Sequence, residues 1–157
     1  SGRTVLLDLD LRNPGLAGLF GLAAPLPMRD LLSGRAAPEA QLIRAGRGLA
    51  LGLNGRAEAA AAELLLEPAA QDALAAVLRD LEPDVLIYDV APVLGSDEVV
   101  ALLPQTDAVL LVADGTQTTA ADLRACERMF QGRVPLLGVV LNRAQDRGLA
   151  RLLRRGG

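Results

Sequence analysis

Short apolar segments recur along this chain and alternate with segments whose apolar residues have helical spacing. The apolar segments are continuous rather than alternating, which is typical of strands covered on both faces in a parallel sheet. They span residues 5–7, 49–53, 85–88, 108–113 and 136–141. Strands that alternate with helices predict an α/β fold with a doubly wound, mainly parallel sheet flanked by helices.

Helical spacing is clearest in two segments, and a third segment predicts short helices. In the first two, one helix face carries the following residues: Ala70, Leu74, Val77, Leu78 and Leu81, then Leu123, Cys126, Glu127 and Phe130. Thr119 lies three residues before Asp122, so it could cap the second helix. Residues 15–32 predict short helices broken by prolines, and the Ala-rich segment 57–66 predicts another helix.

Every predicted strand ends in an aspartate or an asparagine. These residues are Asp8, Asp10, Asn54, Asp89, Asp114 and Asn142. Because the carboxyl ends of parallel strands share one edge, where open α/β folds bind ligands, the pattern predicts a rim of acidic and amide groups. For any single position the alternative is a residue that begins a turn or caps a helix.

The composition of the chain excludes several classes of function. The 157 residues suit one compact domain, and a net charge of −3 with only three aromatic residues argues against a nucleic-acid partner. The chain has no histidine, which excludes histidine metal sites and histidine-based catalysis. Cys126 is the only cysteine, so no intrachain disulfide can form, and a cytosolic compartment is favoured. All sixteen basic residues are arginine.

Asp8, Asp10 and Arg12 form the first candidate group. In an extended segment alternate residues share a side, so these three side chains lie together, opposite three leucines. Two carboxylates at this spacing repel each other. Arg12 would relieve part of the repulsion, and a Mg²⁺ ion held by one or two carboxylates and by substrate phosphates would relieve more.

Two further strand ends carry candidate chemistry. Asp89 follows an apolar strand and precedes Pro92, which is the arrangement of a Walker B aspartate that reaches a phosphate-bound Mg²⁺. Asp97 lies near the start of the next predicted helix, where the helix dipole favours a carboxylate. The last strand ends at Asn142 and Arg143. The amide of Asn142 can read the edge of a purine, and a turn-forming asparagine is the equally weighted alternative.

The order and spacing of several segments resemble the bacterial tyrosine kinases of capsule and exopolysaccharide synthesis, which are deviant-Walker P-loop ATPases. These segments are "VLLDLDLRNP", "LFGL", "LLSGRA", "DVLIYDVAP", "DAVLLVADGTQTT" and "LGVVLNR". The resemblance extends from residue 3 to about residue 144. It identifies residues 5–12 with the Walker A′ motif and Asp89 with the Walker B aspartate.

The resemblance implies roles for the candidate residues. Asp8, Asp10 and Arg12 would form the catalytic group, with Asp8 also a Mg²⁺ ligand. Asp89 would bind Mg²⁺ through water. Asn142 and Arg143 would bind the nucleotide, so the implied cofactors are ATP and Mg²⁺. The implied partners are a membrane chain-length regulator of polysaccharide synthesis and further copies of the chain, at the inner face of the plasma membrane.

The family's glycine-rich phosphate loop and its lysine are missing from these residues. We therefore expect residues 1–157 to be a single kinase-like domain that is incomplete at its N-terminus, lacks the P-loop strand and is inactive as it stands. The loss of that strand should leave an unpaired edge next to the Walker B strand. Two other hypotheses stay open: a partition-type switch ATPase, and a non-catalytic scaffold that has kept the fold.

Overall fold

The computed structural model describes residues 2–144, which fall into two compact units with the boundary between Gln105 and Thr106. The elements of the first unit are β1 (Thr4–Leu9), α1 (Leu16–Phe20), α2 (Met28–Leu32), α3 (Pro38–Gln41), β2 (Leu42–Gly46), β3 (Leu49–Gly52), α4 (Ala61–Leu66), α5 (Pro68–Leu81), β4 (Val85–Val90), α6 (Glu98–Leu102) and a 3₁₀ turn, Leu103–Gln105. Those of the second unit are β5 (Val109–Asp114), α7 (Ala120–Phe130) and β6 (Leu136–Asn142).

The first unit contains a four-stranded sheet in the order β2-β3-β1-β4. β1 is parallel to both β3 and β4, and only β2 runs antiparallel, as the partner of β3. The predicted α/β fold with a mainly parallel sheet flanked by helices is therefore confirmed. Among residues 2–144, β4 pairs with β1 alone, so its other edge is unpaired, as expected for a sheet that lacks a strand there.

The core of the first unit lies on both faces of its sheet. On one face, Leu7 and Leu9 of β1 pack with buried residues of α2, α4 and α5. On the other face, Leu51 and Leu53 pack with Leu16. Both β1 faces are thus covered near its carboxyl end, which explains the continuous apolar run in the sequence.

Helix α5 shows where the predicted helix face was right and where it was wrong. Ala70, Leu74 and Val77 are buried as predicted. Leu78, assigned to the same face, is instead 45% exposed. The helix begins at Pro68, whose fixed φ suits the first turn of a helix.

The described part of the second unit, residues 106–144, contains a parallel pair of strands and one helix. β5 and β6 pair from Val109 to Asp114, and Asp114 lies opposite Asn142. Thr119 and Asp122 form a reciprocal capping box at the start of α7, so the predicted cap is confirmed. Cys126 and Phe130 of this helix are buried.

Among residues 2–144, no helix is long and apolar enough to cross a lipid bilayer.

Candidate active site

Asp8 and Asp89 lie side by side at the carboxyl edge of the first sheet. They are direct partners in the parallel register of β1 and β4, so the two side chains share a face on strands roughly 4.8 Å apart. The topology therefore brings together the two aspartates that the sequence assigns to Mg²⁺. Asp10 follows immediately after β1, in a loop.

Asp8 is fully buried and only half satisfied. Its Oδ2 accepts a hydrogen bond from the Leu16 backbone N–H at 3.0 Å. Its Oδ1 is also buried, and the structure gives it no hydrogen bond within residues 2–144. Burial raises the pKa of Asp8 to about 6; the nearby charges of Asp89 and Asp10 act in the same direction, and the Leu16 bond opposes them.

The carboxylates of Asp89 and Asp10 add negative charge next to Asp8. Burial and the charge of Asp10 raise the pKa of Asp89 above its ordinary range. Asp10 accepts a hydrogen bond from the Asn13 backbone N–H at 3.0 Å, which fixes its carboxylate in a local turn. The result is a negative site whose charges repel each other and lack a compensating cation within the described chain.

Arg12 has a different partner from the one expected. Its Nε donates to Oε1 of Glu98 at 2.5 Å, and no contact joins it to Asp8 or Asp10 within residues 2–144. The side chain of Glu98 is fully buried, whereas that of Arg12 is 53% exposed. Arg12 therefore does not relieve the repulsion between the two aspartates, because its charge offsets the buried carboxylate of Glu98.

Glu98 and its neighbour Ser96 are functional candidates that sequence reasoning missed. The Ser96 hydroxyl donates to Oε2 of Glu98, and the Glu98 backbone N–H donates back to Ser96 Oγ at 3.2 Å. Glu98 is the first residue of α6, where an acid is commonplace, and it lies 86 residues from Arg12. No spacing rule links two such distant positions.

The donor set at Asp8 and Asp89 fits Mg²⁺. Within residues 2–144, no three acidic or cysteine side chains cluster closely enough to hold a metal by themselves. Mg²⁺ does not need such a cluster, because it keeps several waters and is bound by one or two carboxylates together with substrate phosphates. The buried Oδ1 of Asp8, which has no hydrogen-bond partner among residues 2–144, is the kind of oxygen that such an ion satisfies.

Asn142 and Arg143 lie in the second unit, at the carboxyl end of β6. The Asn142 side chain accepts a hydrogen bond from the Arg143 backbone N–H at 2.9 Å. Nη1 of Arg143 forms an ion pair with Asp114 at 3.2 Å. Hydrogen bonds from Thr116 are the main reason why the pKa of Asp114 is lowered, and the charge of Arg143 adds to this effect. Asn142 and Arg143 are both exposed, and their contact with a nucleotide remains a prediction.

Gly115 brings the end of β5 against the loop after β6. Its backbone N–H donates to the Asn142 carbonyl at 2.7 Å. A Cβ at this position would lie 3.0 Å from the Ala144 Cα and 3.1 Å from the Asn142 oxygen. The absence of a side chain at Gly115 therefore permits the backbone around Asn142 to take its position.

Asn54, two residues after β3, has the structural role that is the alternative to ligand binding for an amide near a strand end. Its buried Oδ1 accepts hydrogen bonds from the backbone N–H groups of Met28, at 3.4 Å, and Arg56, at 3.2 Å. These contacts fix the start of α2 and the turn after β3. Local structure therefore accounts for the Asn54 oxygen, whereas its buried Nδ2 has no hydrogen bond among residues 2–144.

The fold of this chain is similar to that of solved kinase domains. Neither a family model nor a curated protein matches the chain. The VpsO kinase domain is 28% identical with a TM-score of 0.80, over 92% of this chain and 71% of that domain. The kinase domain of the Escherichia coli tyrosine kinase ETK is 22% identical with a TM-score of 0.78, over 90% of this chain and 55% of that one.

A related ATP-binding protein is similar over more of the chain. Cobyrinic acid a,c-diamide synthase from Mycobacterium smegmatis, solved with a bound ATP analogue and magnesium, is 24% identical with a TM-score of 0.71, over 98% of this chain and 69% of that one. The chain thus spans about half to seven-tenths of the length of these structures. The resemblance to bacterial tyrosine kinase domains is therefore confirmed in the fold.

Proposed function

We propose that this chain forms part of an ATP- and Mg²⁺-dependent protein-tyrosine kinase that regulates exopolysaccharide or capsule synthesis and export. The observation that carries the proposal is the Asp8–Asp89 pair, two adjacent carboxylates of raised pKa, one with a buried oxygen that lacks a hydrogen bond among the described residues. The similarity to the VpsO and ETK kinase domains supports the choice of kinase.

Asp8 and Asp89 would hold Mg²⁺, Asp89 through a water molecule. When bound, Mg²⁺ neutralises charge on the β- and γ-phosphates of ATP and aligns them for transfer. In the metal-free protein the pKa of Asp8 is about 6, so Asp8 is mostly ionised at neutral pH and can bind the cation. Asp10, two residues further along the chain, would orient the acceptor hydroxyl and accept its proton.

The tyrosine hydroxyl oxygen forms a bond to the γ-phosphorus, the bond from that phosphorus to the β–γ bridging oxygen breaks, and ADP leaves. The hydroxyl proton passes to the carboxylate of Asp10. Arg12 would stabilise charge on the transferred phosphoryl group. Asn142 would contact the adenine, and Arg143 is the second residue that we assign to nucleotide binding.

Some parts of this activity must come from outside the 157 residues. None of these residues is lysine, so the phosphate-loop lysine implied by the resemblance is supplied elsewhere. Tyr88 is the only tyrosine and is half-buried in β4, so the phosphorylated tyrosine belongs to another segment or another protein. A membrane chain-length regulator, association with further copies of the chain, and a position at the inner membrane face are part of the same proposal.

The test uses the protein expressed from its complete gene and incubated with labelled ATP. Phosphotyrosine on the protein or a partner supports the kinase, whereas phosphate release without protein labelling favours the switch ATPase. Failure to bind Mg²⁺–ATP would leave only the scaffold. Asp89→Asn should weaken Mg²⁺–ATP binding, and Asp97→Asn is the matched control because Asp97 is exposed and makes no side-chain capping bond.

A further inference from the structure

Arg12 is held by one nitrogen only. Its Nε donates to Glu98, and within residues 2–144 the structure gives no hydrogen bond to its two terminal nitrogens. A guanidinium has five N–H donors in a planar fork, of which the terminal nitrogens carry four. Because the side chain is about half exposed, these four donors remain available to a ligand.

Glu98 is held in place by burial and by a contact other than the one with Arg12. Its side chain is fully buried, and its second oxygen accepts from the Ser96 hydroxyl. A buried carboxylate that lost Arg12 would be left with an uncompensated charge, so the pair is strongly held on the Glu98 side. Ser96 therefore holds Glu98 in place, and Glu98 in turn holds Arg12.

We propose that Glu98 is a positioning residue that holds Arg12 by Nε, so that its terminal nitrogens are presented to a phosphate group of the bound nucleotide. With its Nε bound to Glu98, Arg12 makes no ion pair with Asp8 or Asp10 among residues 2–144, so those carboxylates remain available to the cation. This inference rests on the proposed nucleotide site and adds to it a residue, Glu98, that does not touch the reacting atoms.

The experiment measures ligand affinity by isothermal titration calorimetry with the protein expressed from its complete gene. The variants are Glu98→Gln, Arg12→Gln and the double variant, with Asp97→Asn as the control. Each single variant should bind Mg²⁺–ATP about tenfold more weakly, because one charge-assisted contact to phosphate is weakened or lost. The double variant should bind no more weakly than Arg12→Gln, since both changes act through one contact.

Adenosine binding distinguishes the positioning role from a purely structural one, because a structural defect would weaken the binding of adenosine as well as that of Mg²⁺–ATP. Adenosine lacks phosphate, so its affinity should be unchanged in all four variants. If Glu98→Gln does not fold, as judged by its melting temperature, Ser96→Ala takes its place, and a loss of a few-fold in Mg²⁺–ATP affinity is expected.

The outcomes separate the two proposals. Absence of Mg²⁺–ATP binding by the wild-type protein would overturn the proposed function. Wild-type binding with unaltered affinity in Glu98→Gln or its Ser96→Ala substitute would overturn the positioning role alone. Losses that add in the double variant, or an equal loss of adenosine affinity, would also overturn it, because Glu98 would then act by a route other than Arg12.

Discussion

Replacing Asp8 by asparagine should make the metal-free protein more stable at neutral pH, although it removes a proposed catalytic group. The folded protein raises the pKa of this carboxyl from 3.8 to about 6, chiefly by burial. Each unit of pKa shift corresponds to about 1.4 kcal/mol, so ionised Asp8 destabilises the fold by about 3 kcal/mol. Asparagine cannot ionise, and its Oδ1 can still accept from the Leu16 N–H.

The sign of the pH dependence follows from the raised pKa. The folded state favours the protonated carboxyl, so the stability associated with it is fully present below about pH 4 and is lost as the pH rises through 6. Asp8→Asn should therefore match the wild-type protein near pH 4 and exceed it in free energy of unfolding by about 2–3 kcal/mol at pH 7.5. The mutant should lose the stabilisation by Mg²⁺–ATP that the wild type shows.

The assay is urea unfolding at a series of pH values with a chelator present, followed by the same measurement with Mg²⁺–ATP. Asp97→Asn is the control and should change stability little at any pH, because Asp97 is exposed and makes no side-chain capping bond. If the stability difference between Asp8→Asn and wild type is the same at pH 4 and pH 7.5, the burial argument is refuted. A mutant less stable at pH 7.5 would refute it equally.

Three further predictions follow from the structure. Gly115→Ala should destabilise the protein by about 1–3 kcal/mol in thermal unfolding, because its Cβ would press on the backbone at Asn142, whereas Gly138→Ala, with no atom within 4 Å of the new Cβ, should be tolerated. Thr119→Ala should destabilise the protein by about 1 kcal/mol through loss of the cap on α7, and Thr119→Ser should not. In the protein from the complete gene, Mg²⁺ affinity measured by calorimetry should fall about tenfold per pH unit below 6, because protons compete for Asp8; a flat profile would contradict its role as a ligand.

The sequence predicted the parallel strands because each is an uninterrupted apolar run. All five predicted strands are present, and the structure extends most of them by one to three residues. Strand β2 was not predicted, because Leu42–Gly46 mixes apolar residues with arginine and glycine and lies at a half-exposed edge of the sheet. Edge strands of this kind carry little periodic signal.

The pairing of Asp8 with Asp89 was predictable, since both end parallel strands, and parallel strands place their carboxyl ends at one edge. The partner of Arg12 was not predictable in the same way. Local spacing placed Arg12 beside Asp8 and Asp10, whereas the fold gives it a buried carboxylate from a distant helix. Burial favours Glu98 over the partly exposed Asp10, because Glu98 has no access to solvent and needs a cation more. Asp8 is as deeply buried as Glu98, so burial does not explain why Arg12 pairs with Glu98 rather than with Asp8.

The placement of Arg12 is informative because the alternative was available to the same sequence. An arginine that follows two repelling carboxylates by two and four residues could have neutralised them and lowered the electrostatic cost of the fold. Instead Glu98 takes its Nε, so the fold retains a negative pair at Asp8 and Asp89 and a guanidinium with unused donors. A cation satisfies the first and an anion satisfies the second. A Mg²⁺ ion bound to phosphate supplies both charges in one ligand, which is why the uncompensated state of these residues favours a nucleotide site over a purely structural cluster.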